Sequence, residues 1–337
     1  SNFIRIPKKT SEGLMMLLGL LYSDGNINKE RDAVTFSNQN EALINYFKSQ
    51  IIESFSVANT MVKEYRSGKD ARVVIYSQVL ARLFELLGIP SGNKAKVEQR
   101  IPAYMYSLPE KETAAFVAGY FEGDGTVALT KTKNLSYPTP KIFCKSKVFL
   151  QEMQALMQLR LGISTKLNKH NTPFGEMFEA VVRGNSGRVK FAKLPLITKK
   201  AAINEVLKTS RIKEFENIPY PDVLIKEIRD KLNYDAYRNH DYYVYKNGRF
   251  TKHALNRLYQ IAVSNGLSSQ SIKKEFELLT RGDISWEYVA GITDVGERDL
   301  YDFTVDDDSF IGHYYLLHNS KFYGQSEQNL RKKFEEA

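Results

Sequence analysis

The sequence predicts an α+β protein in which two copies of an αββαββα unit pack about a pseudo-twofold axis, followed by a small helical segment and a β-rich segment. Three observations carry this. Two apolar helices end in the same Asp-Gly pair, Asp24-Gly25 and Asp124-Gly125, 100 residues apart. The pattern after each pair repeats in kind and in order. The excess positive charge is concentrated in one stretch: residues 111–214 carry 18 basic and 8 acidic side chains, against 14 and 11 in residues 1–110 and 16 and 20 in residues 215–337.

The first helix of each unit is the most distinctive element. Leu14-Met15-Met16 leads into Leu17-Leu18-Gly19-Leu20-Leu21-Tyr22-Ser23-Asp24, and Ala114-Ala115-Phe116 leads into Val117-Ala118-Gly119-Tyr120-Phe121-Glu122-Gly123-Asp124. Both are apolar nearly all round, so each is expected to be buried on several sides. A mid-helix glycine costs about 1 kcal/mol relative to alanine. Gly19 and Gly119 make sense if the missing side chains let the two helices touch backbone to backbone. Side-by-side packing then brings both C-termini to one end, where Asp24 and Asp124 meet. The glycine after each acid is expected in the left-handed region that closes many helices.

The remaining elements follow in matched order. A β-like stretch spans 33–37 in the first unit and 141–144 in the second. An amphipathic helix comes next, 41–54 and 147–161. Strand pairs are expected at 60–65 with 71–76 and at 165–169 with 178–183. A closing helix spans 78–87 and 186–194. Each unit then ends in a lysine pair, Lys94 with Lys96 and Lys199 with Lys200. The domain boundaries read as 1–110, 111–214, a helical spacer or accessory segment at 215–282, then 283–319 and 320–337.

Composition narrows the class. The 337 residues are 42% hydrophobic, which suits a folded chain of two domains. The one cysteine, Cys144, excludes an internal disulfide and a CxxC zinc site, and points to an intracellular, cytoplasmic protein. No apolar run reaches the roughly 18 residues that span a bilayer, so no membrane association is expected. The basic stretch reads as a polyanion-binding face or as an ordinary solvated surface.

Two carboxylates at two helix C-termini are unfavourable, because each faces the negative end of a helix dipole and the other charge. A positive partner is therefore expected between Asp24 and Asp124. Oxygen ligands and an anionic substrate point to Mg²⁺. A divalent ion shared by two acids can generate hydroxide and stabilise a leaving oxygen in phosphodiester cleavage. Lys94 and Lys200 are candidates for further positive charge at the phosphate or the attacking water.

These paired segments resemble the LAGLIDADG motifs of single-chain homing endonucleases, over roughly residues 11–214. The resemblance implies that Asp24 and Asp124 are the catalytic, metal-binding acids. The sixth motif position, often acidic in that family, holds Tyr22 and Glu122, which makes the halves unequal. The stretch with Lys94, Lys96, Ile101 and Pro102 resembles the family's catalytic-lysine block; which lysine of each pair is equivalent stays open. The resemblance also implies a monomer whose saddle of four strands per half straddles double-stranded DNA at a long, non-palindromic target. Asn38, Gln39, Arg72, Lys131, Lys133, Lys145, Arg183 and Lys199 are its candidate DNA contacts, although each is equally an ordinary solvated residue.

The last third differs. Helix-like segments at 252–264 and 269–280 around Gly266 read as a helix-turn-helix or a helical spacer, with Arg249, Lys252, Arg257, Lys273 and Lys274 available to phosphates. Short strand patterns then follow, Asp283 to Val289, Leu300 to Val305, Phe310-Ile311 and Leu316-Leu317, and run into His318-Asn319-Ser320. Together these resemble the C-terminal splicing (Hint) segment of an intein. The resemblance implies that Asn319 cyclises and cuts the Asn319–Ser320 bond, that His318 assists by proton transfer, and that Ser320 is the nucleophile. Asp308 and Ser309 stand where inteins commonly place a histidine. Residues 320–337 resemble the stretch around the first pore loop of AAA+ ATPases, with no GxxxxGK[ST] motif anywhere in the chain. No Thr-x-x-His motif precedes Leu14, and the chain begins almost at the first helix, so an N-terminal intein half is expected as a partner. Two other readings stay open: a splicing element with an inactive nuclease, and a non-cleaving nucleic-acid-binding protein.

Overall fold

The structure, a computed structural model, describes residues 4–28, 30–92, 97–131, 136–173, 175–209, 217–219, 221–232, 250–280, 286, 294, 296, 309–312 and 315–318. The first repeat runs α1 (Glu12–Asp24), β1 (Gly25–Asn28), β2 (Ala33–Asn38), α2 (Glu41–Phe55), β3 (Val62–Ser67), β4 (Asp70–Tyr76) and α3 (Gln78–Leu86). The second runs α4 (Glu110–Asp124), β5 (Gly125–Lys131), β6 (Ser136–Cys144), α5 (Lys147–Leu161), β7 (Thr165–Thr172), β8 (Gly175–Val182) and α6 (Asn185–Ala192), with α7 (Lys200–Thr209) after it. The sheets have the same antiparallel topology, β1-β2-β4-β3 and β5-β6-β8-β7. Helix starts are set by polar caps: Ser11, Asn40, Ser77 and Ser146 each accept a backbone N–H with a side-chain oxygen.

The α1–α4 pair joins the two repeats. A side-chain carbon on Gly19 would run into the Phe116 carbonyl oxygen and lie 2.7 Å from the Tyr120 nitrogen; one on Gly119 would meet the Met16 carbonyl oxygen. The two helices therefore touch through their backbones. Leu14 through Tyr22 are buried, and one continuous apolar core runs from Leu14 to Val206 across both repeats.

Two expectations change. Gly25 (φ −87°) and Gly125 (φ −105°) are extended, not left-handed. Glycine is needed there for space: an added carbon would lie 2.6 Å from the Leu21 carbonyl oxygen, or 2.5 Å from that of Phe121. Those glycines also start β1 and β5, strands that the sequence pattern did not locate. They pair with β2 and β6 directly after the helix ends.

A separate apolar cluster lies in the last third. It unites β9 (Asn217–Ile218), α8 (Asp222–Leu232), β10 (Phe250–Thr251), α9 (Lys252–Ser264) and α10 (Gln270–Thr280), through residues such as Leu224, Ile228, Leu255, Leu258 and Ile272. Gly266 turns the chain between α9 and α10 at φ +77°. Glu275 of α10 accepts from the Val223 and Leu224 N–H groups at 3.1 and 2.7 Å and so caps α8. Arg249 lies outside the described residues.

Residues 1–286 form one unit and 287–337 a second. In the second, β11 (Ser309–Gly312) and β12 (Tyr315–His318) form an antiparallel hairpin. The strand patterns at 283–289 (Trp286 aside) and 300–305, with Asn319, Ser320 and all of 320–337, lie outside the described residues. Among the described residues no helix is long and apolar enough to cross a membrane.

Candidate active site

Asp24 and Asp124 are the last residues of α1 and α4, and both are half-buried. The close approach of the helices continues to their ends. A side-chain carbon on Gly123 would lie 2.7 Å from Asp24 Oδ2, so that carboxylate rests against the backbone one residue before Asp124. Asn38, at the end of β2, donates its amide to Asp24 Oδ2 at 2.8 Å. Tyr120 and Cys144 lie beside Asp124, and its charge adds to burial in pushing the phenol and the thiol up.

Lys199 brings a positive charge within the influence of both acids. Burial pushes its ammonium down, and the charges of Glu122, Asp24 and Asp124 oppose that shift. Its Nζ donates to the carbonyl oxygens of Phe121, Glu122 and Gly125 at 2.7, 2.8 and 2.6 Å, which neutralises the negative end of α4. Glu122 holds this loop in place. Its carboxylate accepts from the N–H groups of Ile197 (2.5 Å), Thr198 (2.9 Å) and Lys199 (3.4 Å), and from the Thr198 hydroxyl.

In the first repeat the described residues here are a phenol and an amide. Tyr22, the counterpart of Glu122, places its hydroxyl 2.8 Å from the Gly88 carbonyl oxygen and 3.2 Å from that of Arg100. Burial raises the phenol further, so it stays a donor. Gln99, buried at 7% exposure, donates to the Tyr22 carbonyl oxygen at 3.3 Å and accepts from Cys144 Sγ at 3.2 Å.

A polar cleft of about 910 Å³ opens over this junction. Asp24, Glu122, Thr198 and Lys199 line one side, and Ser37, Tyr65 and Arg72 line the other. Strand register puts Ser37, Arg72 and Tyr65 in one row, on the sheet face opposite the core residues Phe36 and Val73.

The remaining predicted residues are placed as follows. Lys200 begins α7 and turns from the acids toward the Ala192 and Leu194 carbonyl oxygens, 3.5 and 3.3 Å from Nζ. Asn38 shares the face of Ala71 and Arg66, on the helix side of the sheet, where it holds Asp24 and also lines the cleft. Gln39 donates to Asp70 at 3.0 Å. Lys131 ends β5 and pairs with Ser136. Lys145 is exposed just after β6, and Arg183, just after β8, donates its backbone N–H to Ser164 at 2.8 Å. His318 pairs with Ser309 in the hairpin. Lys94, Lys133, Asn319 and Ser320 lie outside the described residues. Sequence reasoning missed Gln99 and the tethering by Tyr22 and Glu122. The signal was there in the spacing, since Gln99 precedes Lys199 by the same 100 residues that separate the acids.

The residues present fit a hard divalent cation. The donors offered by Asp24 and Asp124 are carboxylate oxygens, and repulsion between them calls for positive charge. Among the described residues no group of three or more His, Cys, Asp or Glu gathers to hold a metal, so water and phosphate oxygens would complete the shell, as is usual for Mg²⁺.

Comparison with known proteins places the second repeat. Residues 111–194 match the LAGLIDADG-like domain family, so the chain carries a LAGLIDADG-like domain within its duplicated body. Elongation factor 2 of Methanopyrus kandleri is 24% identical over 326 residues, 94% of this chain and 24% of that protein. Reverse gyrase of Methanocaldococcus jannaschii is 24% identical over 335 residues, 94% of this chain and 19% of that protein. The chain thus spans about a quarter or less of the length of these curated relatives. The homing endonuclease I-DmoI, solved in complex with DNA and Ca, is similar at 18% identity over 57% of this chain and 97% of that one, with a TM-score of 0.42.

Proposed function

We propose that this chain is a site-specific, Mg²⁺-dependent DNA endonuclease carried within an intein. The observation behind the reading is the meeting of Asp24 and Asp124 at the ends of two backbone-packed helices, beside Lys199 and under a polar cleft. A divalent ion bound there would supply an activated water and draw charge from a scissile phosphate. The chain's own residues do the positioning. Asp24 and Asp124 hold the ion, with Asn38 fixing the first carboxylate. Lys199 offsets their charge, and Glu122 fixes the loop that carries it. The two sheets differ in side chains, so one monomer reads two unlike half-sites in a long, non-palindromic duplex.

The insert reading is supported by where the relatives match. Nearly the whole chain aligns to a minor part of an elongation factor and of a reverse gyrase, two proteins that share no task. A mobile insert in different hosts accounts for that pattern. His318, Asn319 and Ser320 would carry the C-terminal splicing step, with an N-terminal intein half as partner and an AAA+ ATPase as host, inside the cell.

The test is to incubate the protein with Mg²⁺ and the duplex that encodes the uninterrupted host at the insertion point. A double-strand break is expected in the wild type. Asp24→Asn and Asp124→Asn should each abolish the break and retain binding; undiminished cutting by either variant overturns the assignment. Mass spectrometry after incubation should find the peptide of residues 320–337 released, and its absence argues against a working splicing step.

A further inference from the structure

The two sheets align rung for rung. Gly25 pairs with Phe36 and Gly125 with Ile142. One residue further along β2 and β6, Ser37 lies beside Arg72 and Tyr65, where the second sheet sets Phe143 beside Glu179 and Asn168. Arg72 and Glu179 therefore hold the same station in the two halves with opposite charge. Their neighbours Val73 and Ala180 point into the core, so both side chains point to the other face.

Their surroundings differ. Arg72 is exposed and opens on the cleft. Glu179 is only 4% exposed, with Lys141 Nζ at 3.2 Å, Asn168 Nδ2 at 2.8 Å and His170 Nε2 at 3.1 Å from its oxygens. An ionised carboxylate only accepts hydrogen bonds, so the NH₂ end of the Asn168 amide must face it. The amide oxygen and the second N–H of Asn168, which is partly exposed, are then turned outward as an acceptor and a donor side by side. That pair matches the N6 and N7 edge of adenine, whereas the fork of an arginine matches O6 and N7 of guanine.

Resting on the DNA-binding reading above, we infer that Glu179 is a positioning residue that orients Asn168 to read adenine in one half of the target, while Arg72 reads guanine at the symmetry-related step of the other half. A target that were a palindrome at this step would satisfy one half and mismatch the other.

The experiment is selection of duplexes from a randomised library, bound without metal and sequenced. The wild type should enrich adenine and guanine at two positions related by the centre of the site. Glu179→Gln lets the Asn168 amide turn either way, so preference for adenine should fall about tenfold, while guanine and overall binding persist. Asn168→Ala, at a partly exposed strand position that keeps the Glu179 carboxylate, should lose the same adenine preference, and the double variant should lose no more. Arg72→Ala should relax only the guanine. An adenine preference indifferent to Glu179, or an equal loss at every position, overturns this assignment alone. If no duplex is enriched, the DNA-binding reading falls and takes this inference with it.

Discussion

Gln99 and Lys199 extend a side-chain nitrogen to the same place in the two repeats, the carbonyl oxygen of the residue two before the acid. Gln99 Nε2 reaches Tyr22 at 3.3 Å and Lys199 Nζ reaches Glu122 at 2.8 Å. The stations are equivalent, but one carries a neutral amide and the other a half-buried cation that both acids act upon. Pseudo-symmetry of the backbone thus carries unlike side chains at these two stations.

On the proposed nuclease reading, the difference between Gln99 and Lys199 predicts unequal cutting of the two strands. A well-placed donor to developing negative charge is worth about 10²–10³ in rate, and a charged donor makes a stronger hydrogen bond than a neutral one. On a supercoiled plasmid carrying the target, a nicked intermediate should accumulate, with one strand cut at least about tenfold faster than the other. Lys199→Gln should slow the faster strand, and Gln99→Lys, with folding checked by circular dichroism, should narrow the difference. Equal strand rates in the wild type would sink the idea.

Replacing either crossing glycine should weaken the whole molecule. An alanine at 19 gains about 1 kcal/mol of helix propensity. Its methyl, however, meets the Phe116 carbonyl oxygen and the Tyr120 nitrogen, backbone atoms that move only if the helices separate. Overpacking of this kind costs roughly 1–3 kcal/mol or more, and separating α1 from α4 also opens the shared core. Gly19→Ala and Gly119→Ala should each lower the urea midpoint of the same cooperative transition. A midpoint at or above that of the wild type would show that the contact is slack.

Much of this was legible in the sequence because its causes are local. The apolar runs ending at Asp24 and Asp124 can only be buried helices, and the periodic stretches at 41–54 and 147–161 fall within a residue or so of α2 and α5. β1 was not legible: Gly25-Asn26-Ile27-Asn28 has the composition of a turn, and only pairing with β2 makes it a strand. Nor could the sequence choose between Lys199 and Lys200. The start of α7 parts them, sending the first to the end of α4 and the second to the end of α6. Glu179 is an ordinary polar position in an alternating strand until the fold brings Lys141, 38 residues away, to its side.

The two tethers at the sixth motif position should differ in strength. Glu122 satisfies three backbone N–H groups and a hydroxyl from one buried carboxylate. Glu122→Ala leaves them without that acceptor and removes a charge that favours Lys199, at a cost of about 3–5 kcal/mol. Tyr22→Phe removes one hydroxyl from the Gly88 and Arg100 carbonyl oxygens, at about 1 kcal/mol. Thermal unfolding should rank wild type, Tyr22→Phe and Glu122→Ala in falling order. Equal losses would mean that the loop at 197–199 is held by other contacts.

Glu179 should also leave a signature in the acid stability of the protein. Burial alone would raise its carboxyl, but the bonds from Asn168, His170 and Lys141 outweigh burial and hold it below the usual carboxylate range. A folded-state value below the unfolded one contributes stability above the unfolded value, and that contribution is lost as pH falls through the folded value. In Glu179→Gln the position no longer titrates. The wild type should therefore be the more stable protein near pH 7, by about 1–2 kcal/mol after allowance for the partly exposed partners. The gap should begin to close as pH falls below about 4.3, the ordinary glutamate value, and should shrink steadily toward pH 3. Thermal unfolding of both proteins from pH 7 to pH 3 measures it. A gap that stays constant with pH, or widens toward acid, would mean that the carboxylate contributes shape alone and that its three partners are held by something else.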